Sequence, residues 1–119
     1  MLLQEIVQEL ALQRLSGQND ENETAAGVYV SDLLSIVMAN AKKGEIWLTH
    51  QGHQNIVALT TLLDLSCVIV GGGMACQEDT IHKANEENIS LFASDLPLYE
   101  LAGRLYALGL RAGLDAEVD

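Results

Sequence analysis

Between Gly27 and Leu108 the chain repeats one pattern four times. A short run of apolar residues is followed by a break in small or polar residues, and then by apolar residues at helical spacing. The apolar runs read GVYV, EIWLT, CVIV and SLFA. Each is apolar at successive rather than alternate positions, so each suits a strand buried on both faces, the situation of parallel strands covered by helices. Right-handed crossovers between such strands put helices on the sheet faces. The expected fold class is therefore α/β, an open and mostly parallel sheet of four or five strands with helices on both faces.

The helical stretches are legible in the same way. Ser31 or Asp32 is placed to cap a helix carrying Leu33, Leu34, Val37 and Ala41, with Lys42 and Lys43 suiting its negative end. Ile56, Leu59, Thr60 and Leu63 mark a second helix, and Ile81 and Ala84 form the inner face of a third, mostly solvated one. The last is expected to start at Ser94 or Asp95, with Pro97 in its first turn. It then buries Leu98, Leu101, Ala102, Leu105 and Leu108. Residues 1–26 are less regular. Leu3, Ile6, Val7 and Leu10 fall on one face of a short helix, Leu12 to Leu15 suggest a short strand, and SGQNDENET is an acidic loop.

With 119 residues, 49% of them hydrophobic, the chain can bury one core, and residues 1–119 are read as a single domain. Six basic residues against seventeen acidic ones give a net charge of -11, which repels a nucleic-acid backbone and an anionic membrane surface alike. No apolar stretch approaches the roughly 20 residues needed to cross a bilayer. MLLQEIVQEL has no basic flank and no uninterrupted apolar run, so no secretory signal is expected and the cytoplasm is the expected location. Cys67 lies within an apolar run and Cys76 after a glycine cluster, and no disulfide between them is expected.

In a parallel sheet every strand-to-helix loop leaves by the same edge, the usual position of a ligand. Four loops are gathered there: Ser31 and Asp32; His50, Gln51, Gly52 and His53; Gly71, Gly72 and Gly73; Ser94 and Asp95. His50 and His53 have a spacing two metal ligands can use, yet zinc takes three or four, and His82, Cys67 and Cys76 offer no convincing completion. No metal and no cofactor are expected. Either histidine can act as a general base oriented by Asp32 or Asp95, although no G-x-S-x-G nucleophile elbow is present. VIVGGGM lacks the lysine of a P-loop, and position 76, where the dinucleotide fingerprint requires glycine, is Cys76. These glycines either form a plain turn or offer backbone amides to an anion. Trp47 reads as a core residue. Tyr99 and Tyr106, seven apart on one helix face, suit a dimer interface.

The stretch GVYVSDLLSIVMANAKKGEIWLTHQGHQNIVALTTLLDLSCVIVGGG, continued by ISLFASDLPLYELAGRL, resembles the DRTGG domain. The resemblance implies a regulatory or sensory module, similar to the N-terminal domain of HPr kinase/phosphorylase and to copies found with phosphate acetyltransferases and nucleotide-regulated pyrophosphatases. For the last group it implies adenine nucleotide or dinucleotide binding at a dimer. The naming motif is degenerate: Glu23-Thr24-Ala25-Ala26-Gly27 stands where Asp-Arg-Thr-Gly-Gly is expected. Without a P-loop, kinase activity does not carry over.

The sequence thus leads to a non-enzymatic regulatory domain, expected as a homodimer, that binds a small ligand such as a nucleotide, or a partner protein. Its expected site is the loop edge: Ser31, Asp32, Thr49, Gln51, Gly52, His53, Gly71 to Gly73, Ser94 and Asp95. Two other readings are an acidic interaction subunit without ligand and a small histidine-dependent hydrolase.

Overall fold

The computed structural model describes residues 1–18 and 20–112; Asn19 of the acidic loop and the end of the expected domain, 113–119, lie outside the described residues. The chain forms α1 (Leu3–Glu9), β1 (Gln13–Ser16), β2 (Gly27–Val30), α2 (Leu34–Asn40), β3 (Glu45–Thr49), α3 (Asn55–Leu63), β4 (Cys67–Val70), α4 (Glu78–Glu86), β5 (Leu91–Ala93) and α5 (Leu98–Ala107). Among the described residues five strands make one sheet, in the order β1-β5-β4-β3-β2. β2 to β5 are parallel, and β1 closes the sheet antiparallel to β5. All four apolar runs are strands.

Side chains alternate across a strand, so each apolar run serves two cores. Trp47, Val68, Val70 and Leu91 point to one face and pack with Val37, Ile56, Val57, Leu59 and Ala84 of α2, α3 and α4. Ile46, Leu48, Cys67, Ile69 and Phe92 point to the other and meet Leu3, Ile6 and Leu10 from the α1 segment and Leu101 and Leu105 of α5. Full burial of each Val, Leu, Ile or Phe side chain among them is worth about 1.5–3 kcal/mol. Helices therefore cover both faces, as expected.

The strand order explains which helices go where. From β2 to β5 the chain steps in one direction across the sheet, and right-handed crossovers then keep α2, α3 and α4 on one side. α5 leaves β5 for the opposite face, beside α1. Chains emerging from β4 and β5 thus diverge to opposite faces, the arrangement that opens a crevice at the carboxyl edge of an α/β sheet.

Two helix starts differ from expectation. α2 begins at Leu34 with no side-chain cap; Leu33, expected on its inner face, is 64% exposed. The Asp32 carboxylate is drawn instead to the neighbouring β3 loop, as described below. α5 begins at Leu98, with Pro97 just before it, and the Ser94 hydroxyl accepts the Leu96 amide in a turn rather than capping the helix. Lys43 reaches Asp64, at 3.4 Å, instead of lying over the end of α2. Arg14 of β1 lies over the Phe92 ring and donates to the Ser90 hydroxyl, tying the antiparallel edge strand to β5.

Candidate functional site

Strand register assembles the carboxyl edge. Val30 pairs with Leu48, and carrying that register two residues further sets Asp32 beside His50. Val70 pairs with Ala93, and one step further sets Gly71 beside Ser94. All four expected loops therefore meet on one rim, although they are far apart in sequence.

Asp32 organises the first two loops. Its Oδ1 accepts the Thr49 hydroxyl at 2.9 Å and the His50 amide at 2.7 Å, and its Oδ2 accepts His50 Nδ1 at 2.8 Å. Gln51 Nε2 donates to the Asp32 carbonyl, and the Gln51 amide donates to Thr49 Oγ1. Beneath this network, buried Trp47 donates its indole N-H to the Ser31 carbonyl at 2.8 Å. Burial pushes the Asp32 carboxyl up, but the His50 amide and ring and the Thr49 hydroxyl together bring it below its ordinary value. An ionised Asp32 fixes the hydrogen on Nδ1 and leaves Nε2 as the open ring position.

That open nitrogen faces the glycine loop. A Cβ on Gly72 would stand 3.1 Å from His50 Nε2, and φ at Gly72 is +69°, so glycine serves both the backbone turn and the imidazole's approach. Gly52 is demanded by contact alone: a Cβ there would fall 2.2 Å from the Ala75 carbonyl oxygen. The Gly52 carbonyl accepts the Gln77 amide and the Thr80 hydroxyl, binding the β3-α3 loop to the start of α4.

The glycine run is not an open amide cradle. The amides of Gly71, Gly72 and Gly73 donate to the carbonyls of Thr49, Leu96 and Ser94 at 2.9, 2.7 and 3.0 Å. Their hydrogens lace the three loops together, and an anion would have to displace those bonds. Ser94 is likewise engaged, its amide donating to Val70 and its hydroxyl accepting from Leu96. Asp95 is exposed at the rim.

The two histidines have different surroundings. His53 is exposed, and its Nδ1 accepts the Asn55 amide at 3.2 Å, so it secures the first turn of α3. His50, which the loop position alone did not single out, is the ring held by a carboxylate. The missed signal lay in register, because Asp32 and His50 each lie two residues beyond the paired Val30 and Leu48. No group of three or more His, Cys, Asp or Glu residues suited to a metal occurs among the described residues. Cys67 is buried, Cys76 is partly buried, and both are free; burial pushes both thiols up, which disfavours thiolate chemistry.

Concavity and chemistry do not coincide. A cleft of about 420 Å³ opens beside Ser94, Asp95 and Leu96, with Arg104, paired to Glu100 at 3.5 Å, at its side. A larger one, about 520 Å³, lies at the opposite edge of the sheet, between Gln4, Asp20, Glu23, Asn88 and Ser90. The first adjoins the loop edge and the glycine loop; the second shares no residue with the expected site.

No protein-family model matches the chain, and no curated protein matches it. Among solved structures it is similar to the CBS and DRTGG domains of the regulatory region of Clostridium perfringens pyrophosphatase, a structure in complex with the activator diadenosine tetraphosphate. The TM-score is 0.73 at 21% identity, over 92% of this chain and 47% of that one. The chain spans about half of that neighbour's length. No helix among the described residues is long and apolar enough to cross a membrane. The strand order, the helices on both faces and this likeness together show that the chain has a DRTGG-like α/β fold.

Proposed function

We propose that the chain is a non-enzymatic regulatory domain that binds a small ligand of the adenine-nucleotide class on the carboxyl rim and acts as a homodimer on a partner protein. The observation that carries this reading is the Asp32, Thr49, His50 and Gln51 network, set on a rim where chains diverge from β4 and β5. The fold of a regulatory region complexed with diadenosine tetraphosphate supports the ligand class. His50 Nε2 is the open hydrogen-bonding position of the network, and the cleft at Ser94 and Asp95 adjoins the glycine loop it faces. Neither Lys nor Arg occurs in the four loops, and the glycine amides are spent, so the ligand is read by hydrogen bonds more than by phosphate charge. Calorimetric titration with adenosine mono-, di- and triphosphate and with diadenosine tetraphosphate is expected to give saturable heat that His50→Ala removes. No heat from any of them would overturn the ligand class.

One observation favours a second reading. A carboxylate on Nδ1 with Nε2 open is also the arrangement of a histidine general base. Turnover of a phosphoester panel that vanishes in His50→Ala would establish a hydrolase instead.

A further inference from the structure

We propose that the outward face of α5 is the surface on which a second copy of this chain docks, helix against helix and antiparallel, with Gly103 at its centre. This rests on the homodimer proposed above and assigns it a surface. Within one copy Gly103 has no evident purpose. It lies mid-helix without a left-handed backbone, and a Cβ added there would meet nothing within 4 Å. A glycine in such a position weakens its own helix, and a close approach by another backbone is a physical reason to keep one.

The residues around it fit such an approach. Tyr99 and Tyr106 are 86% and 60% exposed, one turn before and one turn after Gly103. Large aromatic side chains left in water on either side of a flat helix surface are characteristic of an interface core. Shallow apolar hollows flank the same surface, one at Ala102, Gly103 and Ala107 and one at Val30, Ala102 and Tyr106.

Self-complementary charge on this face is the argument for a second copy as the occupant. The chain as a whole carries -11, so most of its surface repels a copy of itself. This face instead balances Glu100 against Arg104, while Arg111 lies over the Tyr106 ring at 3.7 Å. A two-fold axis across α5 near Gly103 reverses the helix direction. With the axis between Ala102 and Gly103, Tyr99 falls opposite the partner's Tyr106, and Glu100 falls within one residue of the position facing the partner's Arg104, inside the reach of both long side chains.

Sedimentation analysis of the full chain tests the proposal in steps. The wild type is expected to dimerise, and a monomer across the concentration range would overturn the dimer itself. Tyr99→Glu with Tyr106→Glu, both on exposed positions, is expected to weaken the dimer at least tenfold with an unchanged circular dichroism spectrum. Gly103→Ala is expected to raise the thermal midpoint of a monomeric Tyr99→Glu, Tyr106→Glu background yet to weaken the wild-type dimer. Glu100→Arg and Arg104→Glu each weaken self-association, and mixing these two variants is expected to restore a heterodimer. A wild-type dimer that all these variants retain unchanged would leave the dimer standing and overturn this surface; failure of the mixture to associate would overturn the antiparallel pairing.

Discussion

Two carboxyl groups at opposite ends of the sheet respond to their surroundings in opposite directions. Asp32, on the carboxyl rim, is raised by burial but lowered further by the His50 amide, the His50 ring and the Thr49 hydroxyl, and ends below its ordinary 3.8. Glu23, beside the cleft at the other end, is raised above its ordinary 4.5 chiefly by burial. Arg14 and the Ser90 hydroxyl oppose that rise, while Asp20 adds to it. The difference is one of donors. The rim presents hydrogens that converge on a carboxylate, whereas the opposite end combines acidic residues with partial burial. The larger cleft gathers Asp20, Glu21 and Glu23, and the donors beside Glu23 do not overcome its burial, so the larger volume does not outweigh the chemistry of the rim.

The largest perturbation predicted at the rim is Gly52→Ala. A methyl group 2.2 Å from the Ala75 carbonyl oxygen cannot be accommodated without separating the β3-α3 loop from the start of α4. We expect a loss of about 3 kcal/mol, at the upper end of ordinary overpacking. Urea denaturation measures it, and a loss under half that size would mean that the two loops are not locked together.

Asp32→Asn attacks the same rim more gently. The amide can still accept from Thr49 and the His50 backbone, but it loses the charge that faces His50 Nδ1. Since the Asp32 side chain is 42% exposed, the expected cost near neutral pH is about 1 kcal/mol. The sign with pH follows from the lowered carboxyl. Its contribution is present above 3.8 and is lost as the pH falls through the folded-state value. Wild type and variant should therefore converge in stability as the solution is acidified, and a gap that persists unchanged in acid would contradict the proposed hydrogen-bonded anion.

How much of this was legible in the sequence follows from the range of each interaction. GVYV, EIWLT, CVIV and SLFA are recognisable because two-sided burial leaves apolar residues at consecutive positions. Parallel strands in turn place Asp32, Gly52, Gly72 and Ser94 on one edge. Local capping rules failed at Asp32 because Thr49 and His50, 17 and 18 residues away, compete for its carboxylate, and at Ser31 because its hydroxyl accepts the Leu33 amide in a turn ahead of the helix. The choice between His50 and His53 depends on the β2-β3 register, which neither strand specifies alone. Nor did spacing reveal that the glycine amides are occupied, since their acceptors lie in the Thr49 and Ser94 to Leu96 segments.

The smallest predicted effect sharpens the contrast at the other end. Glu23 has a raised carboxyl, so its contribution is most favourable below 4.5 and is lost as the pH rises through the folded-state value. At neutral pH the carboxylate is therefore a mild liability, offset in part by Arg14. Glu23→Gln should raise stability there by about 0.5 kcal/mol, within the usual range for a partly exposed substitution. The gain should vanish on acidification, when the wild-type side chain is itself neutral. Because Asp32→Asn loses stability at neutral pH and Glu23→Gln gains it, the two profiles approach wild type in acid from opposite sides. Denaturation of both variants between roughly pH 3 and 7 tests that symmetry. A loss of stability on Glu23→Gln at neutral pH would show that attraction to Arg14 outweighs burial, and the two ends would then differ in degree rather than in sign.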